Sequence, residues 1–275
     1  MKNCYIQLYS LKDETAKDFT GTLEKVAKIG YTGVEFAAGF YGGLTAAELK
    51  AKCGKLGLTP LGSHIRCIDV PGQLGYLAEL GVRYIIDPMA PMSTKEEALA
   101  FAKVLNETGK LCHMQGIIFG YHNHRHEFLA GEDGYLLETL LKNTDPQYVC
   151  FQLDVGWAAC AGVDVPAFIN KYPGRFKLIH VKECNHAAGA EALTDFSKFS
   201  KDENGRPIIP AEVMQKFADE SKWNAPSGQG IINWAAVRDA ALAQGAEEFI
   251  VEREYDYAGN IFKCIEEDYA FLKAL

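Results

Sequence analysis

Residues 148–184 read YVCFQLDVGWAACAGVDVPAFINKYPGRFKLIHVKEC. Two β-like runs, YVCFQLDVGW and FKLIHVKEC, enclose the helical stretch DVPAFINKYPG. A strand–helix–strand unit of this kind builds a parallel sheet with helices laid over it. Each strand also carries ionisable residues among apolar neighbours, Asp154 in FQLDVGW and His180 in KLIHVK. Such groups are costly to bury unless they are paired or bind a metal.

The same alternation runs outward in both directions. Upstream, the strands are NCYIQLYS (3–10), TGVEFA (32–37), TPLGSHI (59–65), VRYIIDP (82–88) and IIFGYHNH (117–124); downstream comes EEFIVERE (247–254). Between them lie helical patterns. The stretch 13–30 reads as one helix stopped by Gly30, and 45–57 opens on the capping pattern Thr45-x-x-Glu48 and closes on Gly57. Eight such units in about 250 residues fit a closed (β/α)8 TIM barrel, a single domain over 1–275. An open Rossmann-like sheet is the weaker reading, because no G-x-G-x-x-G follows any strand. Residues 184–230 show no clear periodicity, and a connection that long is usually a lid.

The net charge of −8 excludes a polyanion-binding surface of clustered Lys and Arg, so nucleic acid is not an expected partner. No run approaches the roughly 20 apolar residues of a membrane helix, and the opening residues carry no signal-peptide pattern. A cytoplasmic location is the expectation. The eight cysteines include no C-x-x-C pair and read as free buried thiols.

In a barrel, chemistry gathers where the strands end. Glu35, His64, His122 with His124, Asp154, His180 with Lys182, and Glu252 with Glu254 all fall there. Singly, each has a plain reading: Asp154 could cap the next helix, and His180 could be a hydrogen-bonded core histidine. Their coincidence at strand ends favours a site. Carboxylates mixed with imidazoles, and no thiolate, suit one divalent ion, Mn²⁺, Mg²⁺, Co²⁺ or Zn²⁺.

GYHNHRHEF (120–128), the 151–183 stretch, GQGIINW (228–234) and EEFIVERE together resemble the sugar phosphate isomerase/epimerase family. This is the xylose-isomerase-like barrel group that includes tagatose and psicose 3-epimerases, inosose dehydratase, dehydroshikimate dehydratase and endonuclease IV. The resemblance implies a metal held by a Glu on strand five, an Asp on strand six, a His on strand seven and a Glu on strand eight. Asp154, His180 and Glu252 match three of these. Strand five departs, reading His122-Asn123-His124 with Glu127 the nearest carboxylate. Either His122 takes the open slot or Glu127 curls back to fill it. The expectation leans to Glu127 as ligand, with His122 and His124 contacting substrate or moving a proton. His126 is expected to face away. His64 and Glu35 resemble substrate-pocket residues, and Trp157 could stack on a sugar or pack the barrel. Dimers are common among relatives, so a homodimer is an expectation carried by the resemblance alone.

The function this implies is metal-dependent isomerisation or epimerisation of a sugar or keto-sugar. A proton leaves the carbon beside the carbonyl, the cation stabilises the enediolate, and Lys182 steadies an oxyanion. Glu252 serves as ligand and candidate base. If the second proton goes to a departing oxygen, the outcome is a keto-sugar or keto-inositol dehydratase or a keto-glycoside lyase. A non-catalytic sugar-binding barrel is a third class. RPIIP (206–210) and WNAPSGQG (223–230) are expected to close over the site. With no Gly-rich cradle, a phosphate on the substrate is not expected.

Overall fold

The computed structural model describes residues 1–131, 134–189, 194–200, 202 and 208–275. Eight strands form the barrel: β1 (Tyr5–Gln7), β2 (Gly33–Phe36), β3 (Thr59–His64), β4 (Tyr84–Asp87), β5 (Ile118–His122), β6 (Val149–Asp154), β7 (Phe176–Val181) and β8 (Glu248–Val251). Each pairs in parallel with its sequence neighbours, and β8 returns to β1 to close the ring. Closure removes both sheet edges and aims all eight strand ends at one mouth.

The helices are α1 (Lys12–Lys17), α2 (Phe19–Ile29), α3 (Ala46–Leu56), α4 (Val70–Leu80), α5 (Lys95–His113), α6 (Leu136–Asn143), α7 (Val155–Cys160), α8 (Val165–Lys171), α9 (Ala211–Glu220), α10 (Trp234–Ala243) and α11 (Ile261–Ala274). Thr45 and Glu48 form the expected capping box on α3, and Gly57 ends it at φ 69°. The single helix read over 13–30 is two: Asp18 is extended and its side chain accepts from Gly21 N at 2.9 Å, which starts α2 afresh. β1 stops at Gln7, where the chain turns into a 3-10 helix, Leu8–Leu11. The stretch 184–230 is not all loop. Cys184 with Glu183 pairs antiparallel with Asn224–Ala225, and α9 lies between these two short strands. All eight cysteines are free and buried. Among the described residues, no helix is long and apolar enough to cross a membrane.

The inside of the barrel is layered by the two-residue period of its strands. Tyr5, Leu61, Tyr84, Ile86, Cys150, Leu178 and Ile250 form an apolar plug. Two residues further along, the same faces carry Gln7, Gln152, His180 and Glu252, and two further still, Asp154, Lys182 and Glu254. The plug keeps water out from below; the polar layers end at the mouth. On the other parity of the same segment, Arg253 points out of the barrel and is 2% exposed. It donates through Nε to Asp268 of α11 at 2.6 Å and through Nη2 to the same carboxylate. Asp268 also accepts from Ser227 N at 3.0 Å, and Arg253 N donates to Ser10 Oγ at 2.9 Å. One buried ion pair thus fixes the backbone between Glu252 and Glu254.

Removing one partner of a buried pair strands the other charge and costs about 3–5 kcal/mol. Asp268→Ala should therefore lower the unfolding free energy by that much, read as a lower denaturant midpoint at an unchanged m value. A loss below about 1 kcal/mol would show that Arg253 finds another partner or water.

Candidate active site

Strand register brings the mouth residues together. Asp154 lies opposite His180 across β6 and β7, and His122 opposite Gln152 across β5 and β6. One donor atom from each of His122, Asp154, His180 and Glu252 lies within 4.8 Å of the others, and all four residues are buried. Asp154 serves as the helix cap that its plain reading anticipated. Its Oδ1 accepts from Trp157 N at 2.8 Å, capping α7, while its buried Oδ2 has no hydrogen-bond partner. That oxygen lies 3.8 Å from His122 Nε2. Two buried carboxylates beside two imidazoles are a donor set that fits a divalent cation.

The positive charge already present is Lys182. Its Nζ lies 3.2 Å from Asp154 Oδ2, 3.0 Å from Glu252 Oε2 and 2.8 Å from Glu254 Oε1, over the Trp157 ring. Burial disfavours its charge, yet Asp154, Glu252 and Glu254 hold the ammonium protonated, well above its usual range. Burial likewise opposes ionisation of Glu252, but Lys182 and His180 keep it well below the ordinary carboxylate range. Asp154 goes the other way: burial raises it against the pull of Lys182.

Beneath these groups lies a polar layer that orients them. Glu35 is fully buried. Its Oε2 receives Gln7 Nε2 at 2.7 Å and His180 Nε2 at 2.9 Å, with His64 Nε2 at 3.1 Å; its Oε1 receives Gln152 Nε2 at 2.8 Å. Gln152 then presents Oε1 to His64 Nε2 at 2.8 Å and to His122 Nδ1 at 3.0 Å. These acceptors assign the protons. His122 carries its proton on Nδ1 and turns a bare Nε2 toward Asp154. His180 donates from Nε2 to Glu35 and from Nδ1 to Glu252 Oε2 at 3.1 Å. Burial disfavours charge on His180, but Glu252 and Glu35 lift it to about 10. Burial holds His122 and His124 neutral, well below the usual histidine range.

Above the mouth is a cavity of about 480 Å³. His124, Trp157 and Glu254 line its lower wall, and Met214, Phe217 and Glu220 of α9 its roof. Several expectations are corrected here. Glu127 does not join the four-residue group. It sits in a 3-10 turn, accepting from Tyr121 Oη and from His124 N at 2.9 Å, with His126 Nδ1 at 3.2 Å. The strand-five residue in that group is His122. Glu35 does not reach the cavity, because both its oxygens are used beneath the site. His64 is likewise held by Gln152 and Glu35 and does not line the cavity. His126 does line it, its Nε2 bonded to Ala90 O at 2.9 Å, contrary to the expectation that it faces away. Asn224 ties WNAPSGQG against the mouth, accepting from Glu254 N at 3.0 Å and donating to Glu183 O at 2.7 Å. Of RPIIP, Arg206 and Pro207 lie outside the described residues. The roof is instead α9. Sequence reading missed Gln7 and Gln152; an amide alone among apolar residues, two positions before Asp154 in CFQLD, was the available signal.

A closed parallel barrel whose mouth gathers carboxylates, imidazoles and a lysine is a TIM barrel of the kind that carries its chemistry at the strand ends. Residues 23–275 match the xylose isomerase-like TIM barrel family, and the chain belongs to it. Inosose dehydratase 2 of Bacillus cereus is 27% identical over 167 residues, covering 60% of this chain and 55% of that protein. An inosose dehydratase of Halalkalibacterium halodurans matches at 27% over 172 residues, 61% of this chain and 50% of that one. The match thus spans about half the length of these relatives. A sugar phosphate isomerase/epimerase from Parabacteroides distasonis superposes with a TM-score of 0.75 at 26% identity, over 99% of this chain and 93% of that one.

Nitrogen-15 spectra of chelator-treated protein at about pH 8 should show His180 protonated on both nitrogens and His122 on Nδ1 alone. Because its folded pKa lies above the ordinary histidine value of 6.5, the charged His180 contributes its full stability below about 6.5. That contribution fades as pH rises through about 10. A neutral His180 at about pH 8 would contradict the proton assignment.

Proposed function

We propose that this protein is a divalent-metal-dependent isomerase or epimerase acting on a sugar or keto-sugar through proton removal beside the carbonyl. The observation that carries the proposal is the buried cluster of donor atoms from His122, Asp154, His180 and Glu252, all within 4.8 Å of one another. These four residues would hold the ion, with His122 in the strand-five slot and His180 giving up its Nδ1 proton to ligate. When bound, a divalent cation supplies Lewis acidity at adjacent carbonyl and hydroxyl oxygens.

The chain's own residues supply the rest. Lys182, charged and buried, donates to oxygen where negative charge develops. His124 is neutral, lines the cavity and has a buried Nδ1 with no hydrogen-bond partner, so it can accept the proton from carbon. Glu252 anchors the carbonyl side of the site through His180 and Lys182 and is the alternative base. Trp157 offers an apolar face beside Lys182 for a sugar ring. The roof of α9 keeps water from the intermediate.

A second reading, dehydration or elimination, uses the same first proton transfer and returns the second proton to a departing oxygen. The names of the matching relatives favour it. Incubation with keto-sugars in D₂O separates the two: label at the α-carbon without loss of water indicates an epimerase, and loss of water or aglycone a lyase. Failure of both with metal bound would leave a sugar-binding barrel.

Two outcomes test the site itself. At 100 times its dissociation constant, Mn²⁺ should stabilise the protein by about 2.7 kcal/mol, read as a rise in Tm. Asp154→Ala should abolish the rise. His124→Ala should cut turnover about 10²- to 10⁴-fold while leaving Mn²⁺ affinity unchanged; an equal loss of metal binding would place His124 among the ligands instead.

A further inference from the structure

The cavity above the mouth ends at a charged group that the proposed chemistry does not use. Arg125, at the close of the strand-five motif, is 4% exposed and lines the cavity wall. Its Nη2 meets Glu220 Oε1 of α9 at 2.6 Å, and the Trp223 ring lies under its guanidinium at 4.9 Å. Its Nε and Nη1 are buried with no hydrogen-bond partner. Two unmade donors on a buried cation are a substantial cost that an incoming acceptor would relieve. Glu220 does not fully neutralise the cation, because Lys216 Nζ shares the same oxygen at 3.7 Å.

We infer that Arg125 binds a carboxylate at the end of the substrate remote from the metal group, so that the substrate is a sugar acid. This rests on the reading of the mouth as a metal and sugar site. A carboxylate brings one negative charge and acceptor oxygens, which matches a guanidinium with two free donors. A dianionic phosphate would place more negative charge beside Glu220 and is disfavoured. Lys12, also on the cavity wall, adds positive charge to the chamber. The polar demands of the substrate are then met at both ends, with the apolar side chains of Met214, Phe217 and Trp157 between them.

The test compares three keto-sugars that differ only at carbon six: D-fructose, D-fructuronate and D-fructose 6-phosphate. Their binding to the Mn²⁺-loaded protein is measured by calorimetry. The wild type should bind fructuronate about ten- to a hundred-fold more tightly than fructose, the gain expected of hydrogen bonds to a charged group. Arg125→Leu should abolish that preference, and Arg125→Lys should keep part of it. Should Arg125→Leu fail to fold by circular dichroism, the wild-type ratio and Arg125→Lys decide. Equal binding of acid and neutral sugar, or preference for the phosphate, overturns the proposal. So does an equal loss for all three sugars in Arg125→Leu, which would make Arg125 only a latch for α9. Absence of Mn²⁺ uptake is a different failure: it removes the metal-site reading and this proposal with it.

Discussion

Asp154 and Glu252 bring two carboxylates into a buried space at the mouth of the barrel, and their negative charge has to be balanced there. Burying an uncompensated carboxylate costs several kcal/mol, so the arrangement exists only because cations and donors meet it. Lys182 touches both carboxylates, and His180 adds a second positive charge while it bridges Glu252 and Glu35. Even so, one oxygen of Asp154 makes no hydrogen bond. Four carboxylates, Glu35, Asp154, Glu252 and Glu254, thus share the two cations, and the cluster keeps a net negative charge.

The remaining architecture serves that balance. The apolar plug beneath keeps the dielectric low, which strengthens every charge interaction above it. The amide and carboxylate layer of Gln7, Glu35 and Gln152 fixes which nitrogen of each histidine faces the cavity. Partners of this sort commonly change metal affinity 10- to 100-fold when removed. The Arg253–Asp268 pair sets the backbone between Glu252 and Glu254 from the outside of the barrel. Roof, wall and floor thus come from different segments, held by a closed ring of strands.

Much of this was legible in the amino-acid order. The alternation of β-like and helical runs gave eight units, and Asp154, His180 and Glu252 each stood alone among apolar neighbours, where only a partner or a metal explains a charge. What the order did not reveal has physical causes. Glu127 looked available because sequence proximity says nothing about direction; in the fold its carboxylate turns toward Tyr121 and a backbone amide. Glu35 looked like a pocket residue, but strand parity puts it one layer below the mouth. The α9 segment, AEVMQKFADE, carries Met214, Phe217 and Ala218 at helical spacing, but it stands inside the aperiodic stretch 184–230 and was read with it as loop. Arg125 drew no notice among three histidines, since its importance lies in donors left unsatisfied, which only coordinates reveal.

The central claim is that His122, Asp154, His180 and Glu252 share one cation. The most direct measurement is anomalous diffraction from crystals soaked in Zn²⁺ or Mn²⁺. The account predicts one strong peak about 2.0–2.2 Å from a donor atom of each of the four, with Lys182 displaced from Asp154. A peak elsewhere, or no peak with Lys182 still in contact with both carboxylates, would contradict it.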